Sequence, residues 1–161
     1  MKAFRNSYPA YLFLYSFYFM STALFTTLIS VYLIGHQYSA SQVSNLVSTA
    51  FFLSMLAQPL FGYINERFGI VKITTLSLVV LMAGVGGFIW APNYFWLTIF
   101  YGLVLLCLNG TAPMMEVFAT QSPYAFGKIR VWGTLGYAAG AHLAGWLYAH
   151  LSPQSVYYCV L

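Results

Sequence analysis

The 161 residues are 61% hydrophobic, 20% aromatic and only 5% charged, with a mean hydropathy of +0.77 and a net charge of +4. Soluble domains carry about 25% charged residues, so this chain lacks the polar surface that keeps a globule in water and reads as an all-α integral membrane protein. Its basic residues are dispersed over short connections rather than gathered into a phosphate-binding groove, which argues against a nucleic-acid partner. With no Asp, no nucleophile–base constellation and no metal-ligand cluster, the chain also argues against an enzyme and calls for no cofactor.

A membrane-spanning helix needs about 20 predominantly apolar residues. Five stretches qualify, roughly residues 9–34, 43–62, 73–91, 95–117 and 130–151, and a sixth begins near Ser155 and reaches only Leu161. The expected architecture is therefore five complete transmembrane helices plus a truncated sixth. Lys2 and Arg5 ahead of an apolar run superficially resemble a signal peptide. The run from Tyr11 to Ile34 is far longer than the roughly 7–15 residues of a signal core, and no small-residue cleavage site ends it, so it reads as a retained first span.

In the first span, Tyr11, Tyr15 and Tyr18 fall on one helical face. They either line a solute path or pack between helices. The segment from His36 to Gln42 is polar and uncharged, as an external loop would be, and Ser39 or Ser41 is positioned to cap the second span. Cys107 and Cys159 lie in apolar segments and read as small core residues rather than a disulfide pair. His36, His142 and His150 read as structural residues rather than proton carriers.

Lys2 and Arg5 precede the first span, Arg67 and Lys72 follow the second, and Lys128 and Arg130 follow the fourth. The alternate connections, near 35–42, 91–94 and 152–154, hold no Lys or Arg, which places the N-terminus in the cytoplasm of a cell's inner (plasma) membrane. Trp90, Tyr94 and Trp96 flank one outer turn as an interfacial aromatic belt.

After the second span comes Gln58-Pro59-Leu60-Phe61-Gly62-Tyr63-Ile64-Asn65-Glu66-Arg67-Phe68-Gly69. Gly62 is expected to let the helix end approach a neighbour closely, and Gly69 to take a positive φ in a tight turn. Glu66 and Arg67 would then sit on a cytoplasmic loop a few residues long. Gly84, Gly86 and Gly87 in the third span permit close helix packing.

The fourth span carries Asn109 and Glu116 on one face, with Pro113 between them; Met114 and Met115 read as packing residues. Asn109-Gly110-Thr111 matches a glycosylation sequon, but its depth in the span argues against use. In the fifth, Arg130, Thr134, Tyr137 and Ala141 form one stripe, and Gly133, Gly136, Gly140 and Ala144 form an adjacent stripe of small residues. Ionisable groups at membrane depth are expensive and mark functional sites. Glu116 and Arg130 are therefore the polar centre of the chain, either as ligand-binding groups or as a purely structural bridge.

Three segments, AQPLFGYINERFG, NGTAPMMEVF and FGKIRVWGTLGYA, resemble in order the pattern of the oligosaccharide:proton symporters, the lactose permease-like family of the major facilitator superfamily. The resemblance implies that residues 1–161 form the N-terminal helical bundle, a six-helix half truncated in its sixth helix, of a twelve-helix transporter. It also implies proton-coupled symport of a sugar by alternating access, and a missing C-terminal six-helix half that holds the main proton-coupling groups. Glu116 and Arg130 match the family's acidic and basic sugar-binding residues, Asn109 a cavity-facing amide, and Lys128 a basic site near the cytoplasmic end. Tyr137 stands where the best-known member has a sugar-stacking Trp, and Thr134 where it has a Cys. Gly62, Glu66, Arg67 and Gly69 match the loop that latches one conformation, with Glu where Asp is usual and Val71 where a basic residue is common. The alternatives are an efflux or nucleoside transporter of the same superfamily, a simple tight loop in place of the latch, and a non-transporting membrane protein.

Overall fold

In a computed structural model of the chain, residues 7–161 are described, so Lys2 and Arg5 of the orientation count lie outside the described residues. The described residues form α1 (Tyr8–Thr26), α2 (Ile29–Gly35), α3 (Ala40–Phe68), α4 (Ile70–Ile89), α5 (Tyr94–Thr120), α6 (Phe126–His150) and α7 (Ser155–Tyr158), with no strand among them. The chain is an all-α, multi-pass membrane bundle.

Among the described residues, four stretches are both long and apolar enough to cross a bilayer: Tyr8–Gly35, Ala40–Phe68, Ile70–Ile89 and Tyr94–Thr120. The fifth expected span, α6, has 25 residues and so the required length. Its apolarity is diluted by five glycines, Lys128, Arg130, His142 and His150. The first span is also not continuous. Thr22 Oγ1 donates to the Tyr18 carbonyl (2.9 Å) and Thr26 Oγ1 to the Thr22 carbonyl (2.8 Å), just ahead of the break between α1 and α2. Hydroxyls that bond back in this way compete with the helix ladder and bend it.

Ser39, not Ser41, caps α3. The Gln42 N–H donates to Ser39 Oγ (3.3 Å), and the Ser39 N–H donates to Gln42 Oε1 (2.9 Å), a reciprocal capping box. At its other end α3 runs on to Phe68, and Gly69 alone separates it from α4. The expected loop around Glu66 and Arg67 is thus corrected to the last helical turn. Pro59 lies inside α3 and Pro113 inside α5 without ending either helix.

Contacts divide the chain into two compact units. One takes the chain up to Ile29 and Met115–Val160; within it α1 and α6 form the most extensive helix pair. The small-residue stripe explains the pairing, because Gly133, Gly136, Gly140 and Ala144 are all buried. A methyl added at Gly136 would overlap the Ser16 carbonyl oxygen, and one at Gly140 would stand 2.6 Å from the Met20 carbonyl oxygen. Two apolar clusters fill the contact: Tyr15, Tyr18, Met115, Ala119 and Ile129 in one, and Leu24, Ala144, Leu147 and Val156 in the other.

Hydrogen bonds fasten the same unit. Tyr15 Oη donates to the Met115 carbonyl (2.8 Å), Ser16 Oγ to the Trp132 carbonyl (3.2 Å), and Trp132 Nε1 to Tyr8 Oη (2.9 Å). In membrane proteins such bonds contribute about 0.6 kcal/mol each on average. Tyr15 and Tyr18 are buried, and Tyr11 packs edge-on against Tyr124 at 6.2 Å. Of the two readings of the tyrosine stripe, packing is the one realised.

The second unit takes Ser30–Met114. Here α4 and α5 approach at glycines: a methyl at Gly84 would meet Val104 at 2.9 Å, and Gly110 of α5 accommodates the Phe61 ring of α3 in the same way. Tyr94 Oη donates to the Gln42 carbonyl (2.9 Å), and Thr74 Oγ1 contacts Met114 Sδ (3.0 Å). Both cysteines are free. Cys107 is buried as expected, but Cys159 is exposed, because it follows α7 after a single helical turn rather than lying inside a span.

Candidate substrate-binding site

Glu116 leaves α5 one turn before its end, and Arg130 leaves α6 one turn after its start. A short connection brings them together. Ser122 Oγ donates to the Ala119 carbonyl (2.7 Å) and accepts the Tyr124 N–H (3.3 Å), which closes the turn between the two helices. Arg130 Nη1 donates to Glu116 Oε1 in an ion pair. Both side chains remain about half exposed, at 47% for Arg130 and 51% for Glu116. Full burial of an ion pair carries a desolvation cost that its attraction does not always repay. This pair instead keeps open carboxylate lone pairs and guanidinium N–H groups.

Arg130 also lines a cavity of about 290 Å³ with Phe19, Gly133, Thr134, Tyr137 and Ala138. That volume lies near the lower end of the range for small-molecule pockets, roughly 300–1,000 Å³. Arg130, Thr134 and Tyr137 share this wall because residues three and four apart on α6 point the same way. The neighbouring stripe of Gly133, Gly136 and Gly140 packs on α1, with Gly133 also at the cavity, so that one helix offers polar and aromatic groups on one face and close packing on the next. Tyr137 is 42% exposed, with its ring available to the cavity. Glu116 joins the group through Arg130.

Asn109 lies in the second unit, where its Nδ2 donates to Ser54 Oγ (2.9 Å), and Ser54 Oγ in turn donates to the Phe51 carbonyl (2.8 Å). One of its two amide N–H groups is thereby committed to α3.

The residues matched to the conformational latch are also in the second unit. Gly62 is exposed, with nothing among the described residues within 4 Å of where a side chain would stand. Arg67 Nη1 donates to Tyr63 Oη (3.3 Å), and the guanidinium stands 5.6 Å over the Phe68 ring. Glu66 is exposed and has no ion pair among the described residues. Gly69 has φ +89° and ψ 133°, as its positive φ was expected. Asn65, just before Glu66, has a buried Oδ1 without a partner among the described residues. His150 stacks on Trp146 at 5.0 Å and contacts the Trp146 carbonyl through Nδ1, a helix-end structural arrangement.

Two features were not readable from the motifs. Phe19 is one aromatic among many on α1, and nothing in the spacing marks it as a cavity wall. The link from Trp132 to Tyr8 spans 124 residues of sequence. The small-residue stripe signalled that some neighbour approaches α6, without saying which.

Residues 8–161 match the model of the MFS_1 like family. The chain belongs to that family. Among curated proteins it is similar to the sucrose permease of Escherichia coli, 28% identical over 171 residues that cover 98% of this chain and 41% of the relative. It is similarly related to the maltose permease of Geobacillus stearothermophilus, 28% identical over 164 residues covering 96% of this chain and 40% of the relative. The chain thus spans less than half the length of these curated relatives. No solved structure matched. For a member of the MFS_1 like family, the resemblance of the Glu116–Arg130 segments to the oligosaccharide:proton symporters accords with relatives that are sugar permeases.

Proposed function

We propose that this chain supplies part of the sugar-binding cavity of a proton-coupled sugar symporter that works by alternating access. The observation that carries the proposal is the half-exposed Glu116–Arg130 pair beside the cavity of Thr134 and Tyr137. A carboxylate accepts sugar hydroxyls, while a guanidinium donates to other hydroxyls and neutralises the acid. The Tyr137 ring covers the apolar face of a pyranose. The names of the two relatives, sucrose permease and maltose permease, support a disaccharide as the substrate class.

In this reading a second half-cavity and the proton-coupling groups come from a C-terminal six-helix half, as in the resembled family. The cytoplasmic N-terminus and inner-membrane location belong to the same proposal, and Arg67, Lys72, Lys128 and Arg130 at the helix ends flanking alternate connections support them. The latch role of Gly62, Glu66, Arg67 and Gly69 does too, now on a helix end rather than a loop. Asn109 keeps a supporting role, holding α5 to α3 through Ser54.

The test is uptake of radiolabelled sucrose and maltose into membrane vesicles bearing the protein expressed from its complete reading frame. Uptake of at least one sugar, raised by an inward proton gradient and abolished by a protonophore, is expected. Uptake of neither sugar, or uptake indifferent to the gradient, would contradict the proposal.

A further inference from the structure

Phe19 of α1 and Gly133 of α6 line the same cavity as Tyr137, and they are seated on each other. A methyl built at Gly133 would stand 2.8 Å from Phe19 Cδ2, 3.0 Å from Phe19 Cε2 and 3.0 Å from Tyr15 Cδ1. The Phe19 ring can lie this low on α6 only because residue 133 has no side chain. Two tyrosines bound it on other sides. Tyr15 is fully buried and tied through Oη to the Met115 carbonyl, and its ring centroid is 5.6 Å from that of Phe19. The Tyr18 ring meets Phe19 edge-on at 5.3 Å. A group added at Gly133 must displace the Phe19 ring, and with Tyr15 and Tyr18 on two sides the cavity that Phe19 lines offers room for it.

We propose that Phe19 is a specificity-determining residue, a second aromatic wall of the cavity, and that Gly133 sets how far this wall stands out and so how large a sugar the cavity accepts. The inference rests on the sugar-binding reading of the cavity. Two aromatic faces and one ion pair suit a pyranose, whose C–H groups cover apolar faces while its hydroxyls lie at the rim. Small changes count in such a site, because one methylene more or less in an apolar pocket changes discrimination by about 10–200-fold.

The experiment compares wild type, Phe19→Ala, Phe19→Trp, Gly133→Ala and the double variant Phe19→Ala/Gly133→Ala in the full protein. Displacement of radiolabelled sucrose or maltose by a monosaccharide and by a trisaccharide gives the size profile of each. Phe19→Trp and Gly133→Ala are expected to shift preference toward the monosaccharide by about tenfold. Phe19→Ala should shift it toward the trisaccharide, and the double variant should match Phe19→Ala because the displaced ring is gone. If Gly133→Ala does not fold, the opposite shifts of Phe19→Ala and Phe19→Trp carry the test. An unchanged size profile in both Phe19 variants, or equal weakening toward every sugar, would overturn the proposal. A wild-type protein that binds none of these sugars would instead overturn the underlying sugar-binding reading.

Discussion

The carbonyl oxygen of Ser16 occupies the space where a side chain on Gly136 would have to stand. The two backbones meet with nothing between them, at the centre of the pair that holds α1 against α6. Without a hydrophobic drive between helices in lipid, such contact depends on close packing, and small residues make it possible. Gly136→Ala should therefore lower the thermal stability of the detergent-purified protein, corresponding to about 1–3 kcal/mol for overpacking. Gly145→Ala on the same helix, where a methyl meets open space, is the control and should leave the midpoint unchanged or slightly raised.

Gly69 gives a second backbone prediction. It is the only residue between α3 and α4, and its φ of +89° suits glycine alone at low cost. Gly69→Ala should destabilise the α3–α4 junction by about 1–3 kcal/mol. Limited proteolysis at residues 66–72 would report it as faster cleavage. Cleavage at the wild-type rate would show that the junction tolerates a side chain.

Much of this was legible in the sequence, and the limits have physical reasons. The spans were visible because twenty apolar residues in succession have few other uses. The packing stripe of Gly133, Gly136 and Gly140 and the cavity stripe of Arg130, Thr134 and Tyr137 followed from helical periodicity alone. The ends of α3 were less readable. Polar residues such as Ser41, Gln42 and Asn65 lower hydropathy without breaking a helix, so the apolar window 43–62 understated Ala40–Phe68. The seven-residue spacing of Asn109 and Glu116 puts them on one helical face, but no periodicity reveals the bond from Asn109 to Ser54. Phe19 was hidden among the other aromatics of α1 for the same reason.

Asn109 and Ser54 accordingly predict a separation of stability from binding. Asn109→Ala removes the donor to Ser54 Oγ in a partly buried contact, and should cost about 0.6 kcal/mol by the average for interhelical bonds in membranes. Sugar affinity, measured by displacement on the surviving folded fraction, should stay within about twofold of wild type. A tenfold loss of affinity with unchanged stability would return Asn109 to the binding site.

Tyr137 separates stacking from hydrogen bonding. Tyr137→Phe keeps the ring and should retain sugar binding within a few-fold, while Tyr137→Ala should weaken it by about tenfold, as loss of roughly 1.4 kcal/mol of contact would. The reverse order would assign the hydroxyl, and not the ring, as the sugar contact.

The central claim is that the Glu116–Arg130 pair binds sugar rather than merely joining α5 to α6. Its most direct test is equilibrium binding of radiolabelled sucrose or maltose, without a proton gradient, to the full protein carrying Glu116→Gln or Arg130→Lys. Each change preserves approximate size and removes either the carboxylate charge or the planar guanidinium fork. Affinity about tenfold or more below wild type in both variants, with thermal stability maintained, is the expected result. Unchanged affinity in both would contradict the assignment and leave the pair a structural bridge.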